Sequence, residues 1–270
     1  MLSQMLSYEF IQRAFVGGVL VSLCAALLGV SLVLKRYSMI GDGLSHVSFG
    51  ALSIAIACGF APIKFAIPVV IVAAFLLLRL AENGRMRSDA AIAMVSASAL
   101  AIGVIVTSVT TGLSTDVYSY MFGSILAMSK EDVTVSVCLS IVVIIMFVFF
   151  YHKIFAVTFD ESFSKATGVK VGTYNTLISV FTAVTVVIGI KMMGAMLISS
   201  LIIFPALTSM RILKSFLSVT VCSAVLAVIN FTIGLVCSYI FSIPAGASIV
   251  VVNLAVFILF SIFSMVQKRV

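Results

Sequence analysis

One short polar stretch near the start of the chain separates two long apolar runs: KRYSMIGDGLSHV, residues 35–47. It places the carboxylate of Asp42 four residues before the imidazole of His46. On a helix this spacing puts both side chains on one face, about one turn apart. Ionisable groups at membrane depth are energetically costly, so they face the bundle interior and mark functional sites. Asp42 and His46 are therefore the leading candidate site residues.

The composition predicts an all-α, polytopic membrane protein with a single domain over residues 1–270. Hydrophobic residues make up 63% of the chain and charged residues 9%, whereas a soluble domain carries roughly 25% charged residues. The apolar runs are unbroken and lack the two-residue alternation of a membrane barrel, so they predict helices. Much of the chain is expected to contact lipid.

Nine apolar runs approach the roughly 20 residues that a bilayer requires, and the second and seventh are marginal. Eight or nine transmembrane helices are therefore expected. The more polar residues 110–132 predict an exposed or partly re-entrant connection. The runs cover residues 14–34, 42–60, 65–80, 90–109, 133–150, 174–190, 192–210, 216–241 and 248–266.

The basic residues predict how the chain is oriented. With nine alternating spans and residues 156–172 in the cytoplasm, twelve of the sixteen Lys and Arg residues lie inside and four lie outside. An excess of basic residues on the cytoplasmic side is the rule for membrane proteins, which places the N-terminus outside and the C-terminus inside. The net charge of +7 is thus explained by basic residues on the cytoplasmic side of the membrane, and no nucleic-acid partner is expected.

Five stretches carry a resemblance, in this order along the chain: RYSMIGDGLSH at 36–46, SDAAI at 88–92, FDESFSKATG at 159–168, GAMLISSLIIFPA at 194–206 and PAGA at 244–247. They are similar to segments of the ABC-3 family, the membrane permeases of zinc/manganese ABC importers. A single match would be weak evidence, but five matches in one order cover nearly the whole chain. The chain therefore resembles that family throughout.

The resemblance implies a permease of the type II ABC-importer kind in the bacterial cytoplasmic membrane. A second permease copy would complete a homodimer, a cytoplasmic ATPase dimer would power it, and an extracytoplasmic metal-binding protein would deliver the ion. The chain has no G-x-x-x-x-G-K-[ST] phosphate loop, so ATP hydrolysis is expected in a partner and not in this chain. No cofactor is expected, because the zinc or manganese ion is the transported substrate.

Asp42 and His46 are interpreted as transient ligands of that ion. Imidazole and carboxylate suit zinc and also manganese, and the imidazole favours zinc slightly. Two ligands from each of two copies would make a four-ligand site on a symmetry axis. The structural alternative is that Asp42 caps the second helix and His46 forms a hydrogen bond within the bundle.

Residues 156–172 resemble the family's cytoplasmic loop and are interpreted as a coupling segment that docks on the ATPase. Charged side chains would set its register, and two phenylalanines four residues apart would be apolar anchors. The alternative is an ordinary solvated loop. The candidate coupling residues are Phe159, Asp160, Glu161, Phe163, Ala166 and Gly168.

Two other functions remain open from the sequence. A permease for an iron-chelate or cobalamin-type substrate shares the importer logic but requires a wide path without metal ligands, which the Asp42/His46 pair disfavours. A secondary transporter driven by an ion gradient would need no ATPase partner and no coupling segment.

The second histidine, His152, lies beside Lys153 at the end of a span and is interpreted as an interfacial residue.

Overall fold

The computed structural model describes residues 9–82, 88–110 and 130–267, and within these ranges it contains helices and no strands. Most of the helices coincide with the apolar runs of the sequence. In chain order they are α1 (Glu9–Leu34), α2 (Ile40–Ala57), α3 (Pro62–Glu82), α4 (Ser88–Val109), α5 (Lys130–Phe149), α6 (Tyr151–Phe159), α7 (Glu161–Ala166), α8 (Val171–Met193), α9 (Ala195–Met210), α10 (Phe216–Phe241) and α11 (Ala245–Gln267).

Six of the described helices are long and apolar enough to cross a bilayer, namely α1, α2, α4, α8, α10 and α11. A seventh span results if α5 and α6, bent by 69° relative to each other, are counted as one. The apolar parts of α3 and α9, Pro62–Leu77 and Ala195–Met210, are shorter. The expected eight or nine spans are thus not confirmed by length and composition, and most of the expected 110–132 connection lies outside the described residues.

Helix α1 is at the centre of the bundle, where it packs against α5, α8, α9 and α10. Its buried residues Val21, Ala25, Leu28 and Leu32 recur every three or four positions and join the main apolar core. On one side, α2 packs against α3, α4, α8 and α9, and on the other α10 packs against α11. At the start of α2, Gly41 faces Ile202 of α9 and Gly43 faces Ile92 of α4.

Glycines allow the closest helix contacts, as is common where apolar helices associate without a hydrophobic driving force. A Cβ added at Gly50 of α2 would lie 2.7 Å from the backbone oxygen of Ala99 in α4. Gly103 of α4 faces Gly50 in return, and Gly29 of α1 packs on the backbone of Ile202 in α9. Helix α2 is therefore fixed by backbone-to-backbone packing.

Several helix ends meet at one end of the bundle, which we call the basal end. An apolar cavity of about 260 Å³ is lined there by Leu34 at the end of α1, Phe159 at the end of α6, Met210 at the end of α9 and Phe216 at the start of α10. The hydroxyl of Ser264 near the end of α11 donates to the backbone oxygen of Arg211. The short helix α7 lies at this end as well.

The seventh apolar run begins later than the sequence indicated. Helix α8 continues to Met193, beyond the boundary expected at Lys191, and the break occurs at Gly194. Its φ of 88° lies in the left-handed region that favours glycine. Met192 and Met193 therefore belong to α8, where both are buried.

Candidate functional site

Helix α2 begins directly after a tight reversal of the chain. Arg36 has a left-handed φ of 61°, and the backbone N–H of Tyr37 donates to the oxygen of Leu32 at 2.8 Å. Met39 occupies the N-cap position and makes no side-chain cap bond. Asp42 lies in the first turn of α2 but is not its cap, so the capping alternative is not what the structure shows.

The structure brings Asp42 and His46 together, and we call these two residues the metal pair, after the role that the sequence predicts for them. Asp42 Oδ2 lies 3.6 Å from His46 Nε2, an ion-pair distance that is too long for a hydrogen bond. The side chains remain 39% and 25% exposed, respectively, although their neighbours Leu44 and Ser45 are fully buried. The pair is therefore loosely engaged and partly open.

A residue of α9 also reaches Asp42, and sequence reasoning did not identify it. The hydroxyl of Ser199 is 3.4 Å from Asp42 Oδ1 and 3.3 Å from the backbone oxygen of Ala195 one turn earlier. Both distances are long, so the hydroxyl is shared between two acceptors. The spacing of 157 residues between Ser199 and Asp42 leaves no local signal that could have predicted the contact.

The metal pair lies inside the bundle and not at its basal end. A Cβ at Gly41 would contact the side chain of Ile202 at 2.7 Å, and the backbone of Ile202 packs on Gly29 of α1. Gly29 is six residues before Lys35, which corresponds to about 9 Å along the helix axis. The start of α2 is thus recessed by nearly two helical turns.

Within the described ranges, no group of three or more His, Cys, Asp or Glu side chains is placed to hold a metal ion. Asp42 and His46 supply one carboxylate and one imidazole, both common ligands of transition metals. A tetrahedral or octahedral shell needs more ligands than two. Asp42 and His46 of one chain are therefore too few to complete such a shell.

The coupling segment expected at 156–172 is divided among three helices. Residues 156–159 complete α6, Glu161–Ala166 form α7, and α8 begins at Val171. Asp160 caps α7, because the backbone N–H of Phe163 donates to its Oδ1 at 2.9 Å. Gly168 follows the helix with a φ of 82°, so both ends of α7 have local signals in the sequence.

The two candidate anchors of this segment differ in their surroundings. Phe159 is 59% exposed, yet its ring contacts Phe155 and Phe216. Phe163 is 65% exposed, and Ala166 and Gly168 on the same short segment are exposed too. The outer surface of α7 thus presents one large aromatic side chain beside small residues.

Glu161 faces inward, toward a cluster that sequence reasoning missed. Its Oε1 accepts from Lys35 Nζ at 2.7 Å and from Asn175 Nδ2 at 3.1 Å, and Lys35 Nζ also donates to Asn175 Oδ1. Partial burial raises the pKa of Glu161, but the hydrogen bonds from Lys35 and Asn175 outweigh this effect and hold the pKa below its ordinary value. We call Lys35, Glu161 and Asn175 the latch.

The fold, with its six or seven apolar helices long enough to cross a bilayer among the described residues, is that of a multi-pass helical membrane protein. The chain matches the model of the ABC 3 transport family over residues 7–264 and belongs to that family. The resemblance inferred from the five stretches is thereby confirmed.

Proteins of similar sequence and a solved structure match this chain over nearly its full length. A probable metal transport system membrane protein of Treponema pallidum (strain Nichols) is 31% identical over 256 residues, 94% of this chain and 96% of the relative. The manganese transport system membrane protein MntC of Halalkalibacterium halodurans is 28% identical and covers 97% of this chain and 89% of its own. The structure of PsaBC from Streptococcus pneumoniae in complex with Fab matches with a TM-score of 0.86 and 27% identity over 96% and 95% of the two chains.

Proposed function

We propose that this chain is the permease subunit of an ATP-driven importer that carries a divalent transition-metal ion into the bacterial cytoplasm. The observation that carries the proposal is the metal pair, a carboxylate and an imidazole held loosely inside an apolar bundle. Weak, incomplete coordination is what conduction requires, because the ion must enter and also leave. The names of the relatives, which are metal and manganese transport system membrane proteins, support the same substrate class.

A second copy of the chain completes the site in this proposal. One chain contributes two ligands, and a two-fold axis beside the metal pair would bring a second Asp42 and His46 to the same ion. Homodimers with two-fold symmetry are the commonest assemblies of soluble oligomers, and a path between two copies gives both carboxylates access to water. An extracytoplasmic binding protein would deliver the ion to that path.

The basal end faces the cytoplasm in this proposal. The described basic residues Lys35, Lys165, Arg211 and Lys214 lie on segments at that end, as the excess of positive charge on the cytoplasmic side requires. The ATPase would then dock on α7, with Phe163 as the central aromatic anchor. Counting α3 and α9 as short spans gives nine crossings, with the N-terminus outside.

The identity of the ion depends on two opposing considerations. The imidazole of His46 favours zinc, whereas the names of the relatives favour manganese. A pair with one carboxylate and one imidazole has no strong intrinsic preference, so we place manganese first and zinc second.

The test is uptake by the complete transporter, with ATPase and binding protein, in proteoliposomes supplied with radioactive manganese or zinc. Asp42→Ala and His46→Ala should each reduce uptake at least about tenfold, the loss typical of removing a group that holds a metal. His152→Ala is the matched control, because His152 is the other histidine of the chain, is exposed on α6 and should leave uptake unchanged.

Three results would overturn the proposal. Unchanged uptake in both metal-pair variants would remove the proposed ligands. Uptake that continues without ATP would assign the chain to secondary transport, and transport of an iron chelate in place of the free ion would assign it to the chelate class.

A further inference from the structure

The latch joins three elements that are far apart in sequence. Lys35 directly follows α1, Glu161 begins α7 and Asn175 lies in the second turn of α8. The Lys35 side chain is only 6% exposed and Asn175 is 3% exposed, whereas Glu161 remains 42% exposed. One nearly buried ammonium group is thus held by two oxygen acceptors, 126 and 140 residues away along the chain.

Burial distinguishes the latch from an ordinary surface ion pair. Exposed pairs contribute little, because water competes for both charges. A buried cation that loses its anion is left with an uncompensated charge, and breaking such pairs is strongly destabilising. The position of Glu161, and with it the start of α7, is therefore coupled to the position of Lys35.

Lys35 is in turn connected to the metal pair by a stiff length of chain. Between Lys35 and Asp42, the backbone N–H of Tyr37 donates to Leu32, and that of Ile40 donates to Tyr37 at 3.0 Å. The N–H of Gly43 donates to Met39 at 2.9 Å. This hydrogen-bonded turn has little freedom to absorb a displacement, so a shift of Lys35 moves the start of α2.

The outer and inner faces of α7 therefore have different roles. Phe163 is exposed and available to a partner, whereas Glu161, which the sequence predicts as a coupling residue, binds Lys35 with its carboxylate. A partner that displaces Phe163 therefore moves α7, and with it Glu161, the first residue of α7 and a member of the latch.

We propose that Lys35, Glu161 and Asn175 are positioning residues that transmit movement of α7 to Asp42 and His46 through the turn between α1 and α2. The proposal rests on the proposed function, because it assumes that α7 receives the ATPase and that the metal pair contacts the ion. Coupling of this kind is carried by contiguous packed and hydrogen-bonded groups, and mutations within such networks change its strength.

The experiment measures uptake of manganese per ATP hydrolysed by the complete transporter in proteoliposomes. Glu161→Gln and Lys35→Met should each lower this ratio about threefold or more, with the ATPase still bound. The double variant should be no worse than the poorer single variant, because either change already removes the shared interaction. Lys153→Met is the control, since Lys153 is an exposed cation on α6 outside residues 156–172, and it should leave the ratio unchanged.

The outcomes separate the latch from the proposed function. An unchanged ratio in the folded, assembled Glu161→Gln variant, or additive losses in the double variant, would overturn the positioning role while Asp42→Ala still abolishes uptake. Failure of the proposed function would instead appear as full uptake in Asp42→Ala. If Glu161→Gln does not fold, Glu161→Asp keeps the charge but shortens the reach, and an intermediate ratio is expected; a wild-type ratio there would overturn the proposal.

Discussion

The metal pair and the latch are both polar clusters near the start of α2, and their contacts differ in kind. In the metal pair Asp42 Oδ2 and His46 Nε2 are 3.6 Å apart, and the side chains keep part of their surface open. In the latch the ammonium–carboxylate distance is 2.7 Å and the lysine is almost completely buried. The side chains of the metal pair can still accept further ligands, whereas the ammonium group of the latch is already bound by two partners.

Under the proposed function, this difference separates a polar cluster with a structural role from one with a transport role inside an apolar bundle. Fully satisfied buried networks rigidify a fold, whereas ionisable groups that remain partly satisfied at membrane depth are costly and are kept for function. Removal of a metal-pair residue should therefore impair uptake and spare folding. Removal of a latch residue should affect stability as well.

The largest effect is expected for Asp42→Asn, which keeps the size of the side chain and removes its charge. Uptake should fall at least about tenfold, because a carboxamide is a poorer ligand for a divalent cation than a carboxylate. Stability should stay the same or rise, since a partly buried charge no longer has to be desolvated. The measurements are uptake in proteoliposomes and thermal unfolding in detergent, and a large loss of stability would break the comparison with the latch.

The opposite result is expected for Glu161→Gln, which should lower the unfolding free energy by about 2 kcal/mol. This value lies between those for exposed and buried ion pairs, because Glu161 is partly solvated while Lys35 is not. Thermal unfolding in detergent measures it. A loss no larger than that of Lys153→Met, which changes an exposed lysine of α6, would show that the latch is not a tight network.

The pH dependence gives an independent check on the latch. The folded pKa of Glu161 lies below its ordinary value under the influence of Lys35, Asn175 and Lys165. The carboxylate therefore stabilises the fold above that ordinary value, roughly pH 4.3, and this contribution is lost as the pH falls through the lowered folded pKa. Wild-type protein should lose stability over that range, and Glu161→Gln should lose less; parallel pH profiles of the two proteins would contradict the assignment.

The rigidity of the helix that carries the metal pair can be tested at Gly50. Gly50→Ala should cost about 1–3 kcal/mol, because the added Cβ meets a backbone oxygen of α4 and the two helices must separate. Gly172→Ala is the matched control, since nothing lies within 4 Å of a Cβ at that helical position, and it should be neutral or slightly stabilising. Equal stability of the two variants would indicate that α2 is not packed as tightly as the geometry implies.

The sequence predicted the membrane class, the position of the apolar helices and the shared face of Asp42 and His46, because each depends on local spacing. It did not predict which helices are neighbours, so Ser199 beside Asp42 and Asn175 beside Glu161 were not anticipated. Asp160 and Gly168 carried the signals for both ends of α7, whereas the inward turn of Glu161 depends on Lys35, a residue on another helix. Apolar periodicity determines the buried face of a helix and contains no information about its partner.

A third polar cluster tests whether incomplete satisfaction alone is enough to make a transport site. Asn230 of α10 donates to Asn253 of α11 at 2.8 Å, and among the described residues the other amide atoms, Asn230 Oδ1 and Asn253 Nδ2, have no hydrogen-bond partner. This pair is buried and uncharged. It resembles the metal pair because its polar atoms are not all hydrogen-bonded, and it resembles the latch because it is buried.

Asn253→Leu should therefore cost only about 0.6 kcal/mol, a typical value for a hydrogen bond between membrane helices. The variant with both asparagines replaced by Leu should recover that loss, because no amide is then left without its partner. Uptake per ATP should be unchanged in both variants, since neutral amides closed off from any path have no access to a cation. If a folded Asn253→Leu transporter lost uptake, incomplete hydrogen bonding of a buried polar group would be enough to identify the transport path. The exposure and charge of Asp42 and His46 would then not be the features that distinguish a transport site from a structural polar cluster.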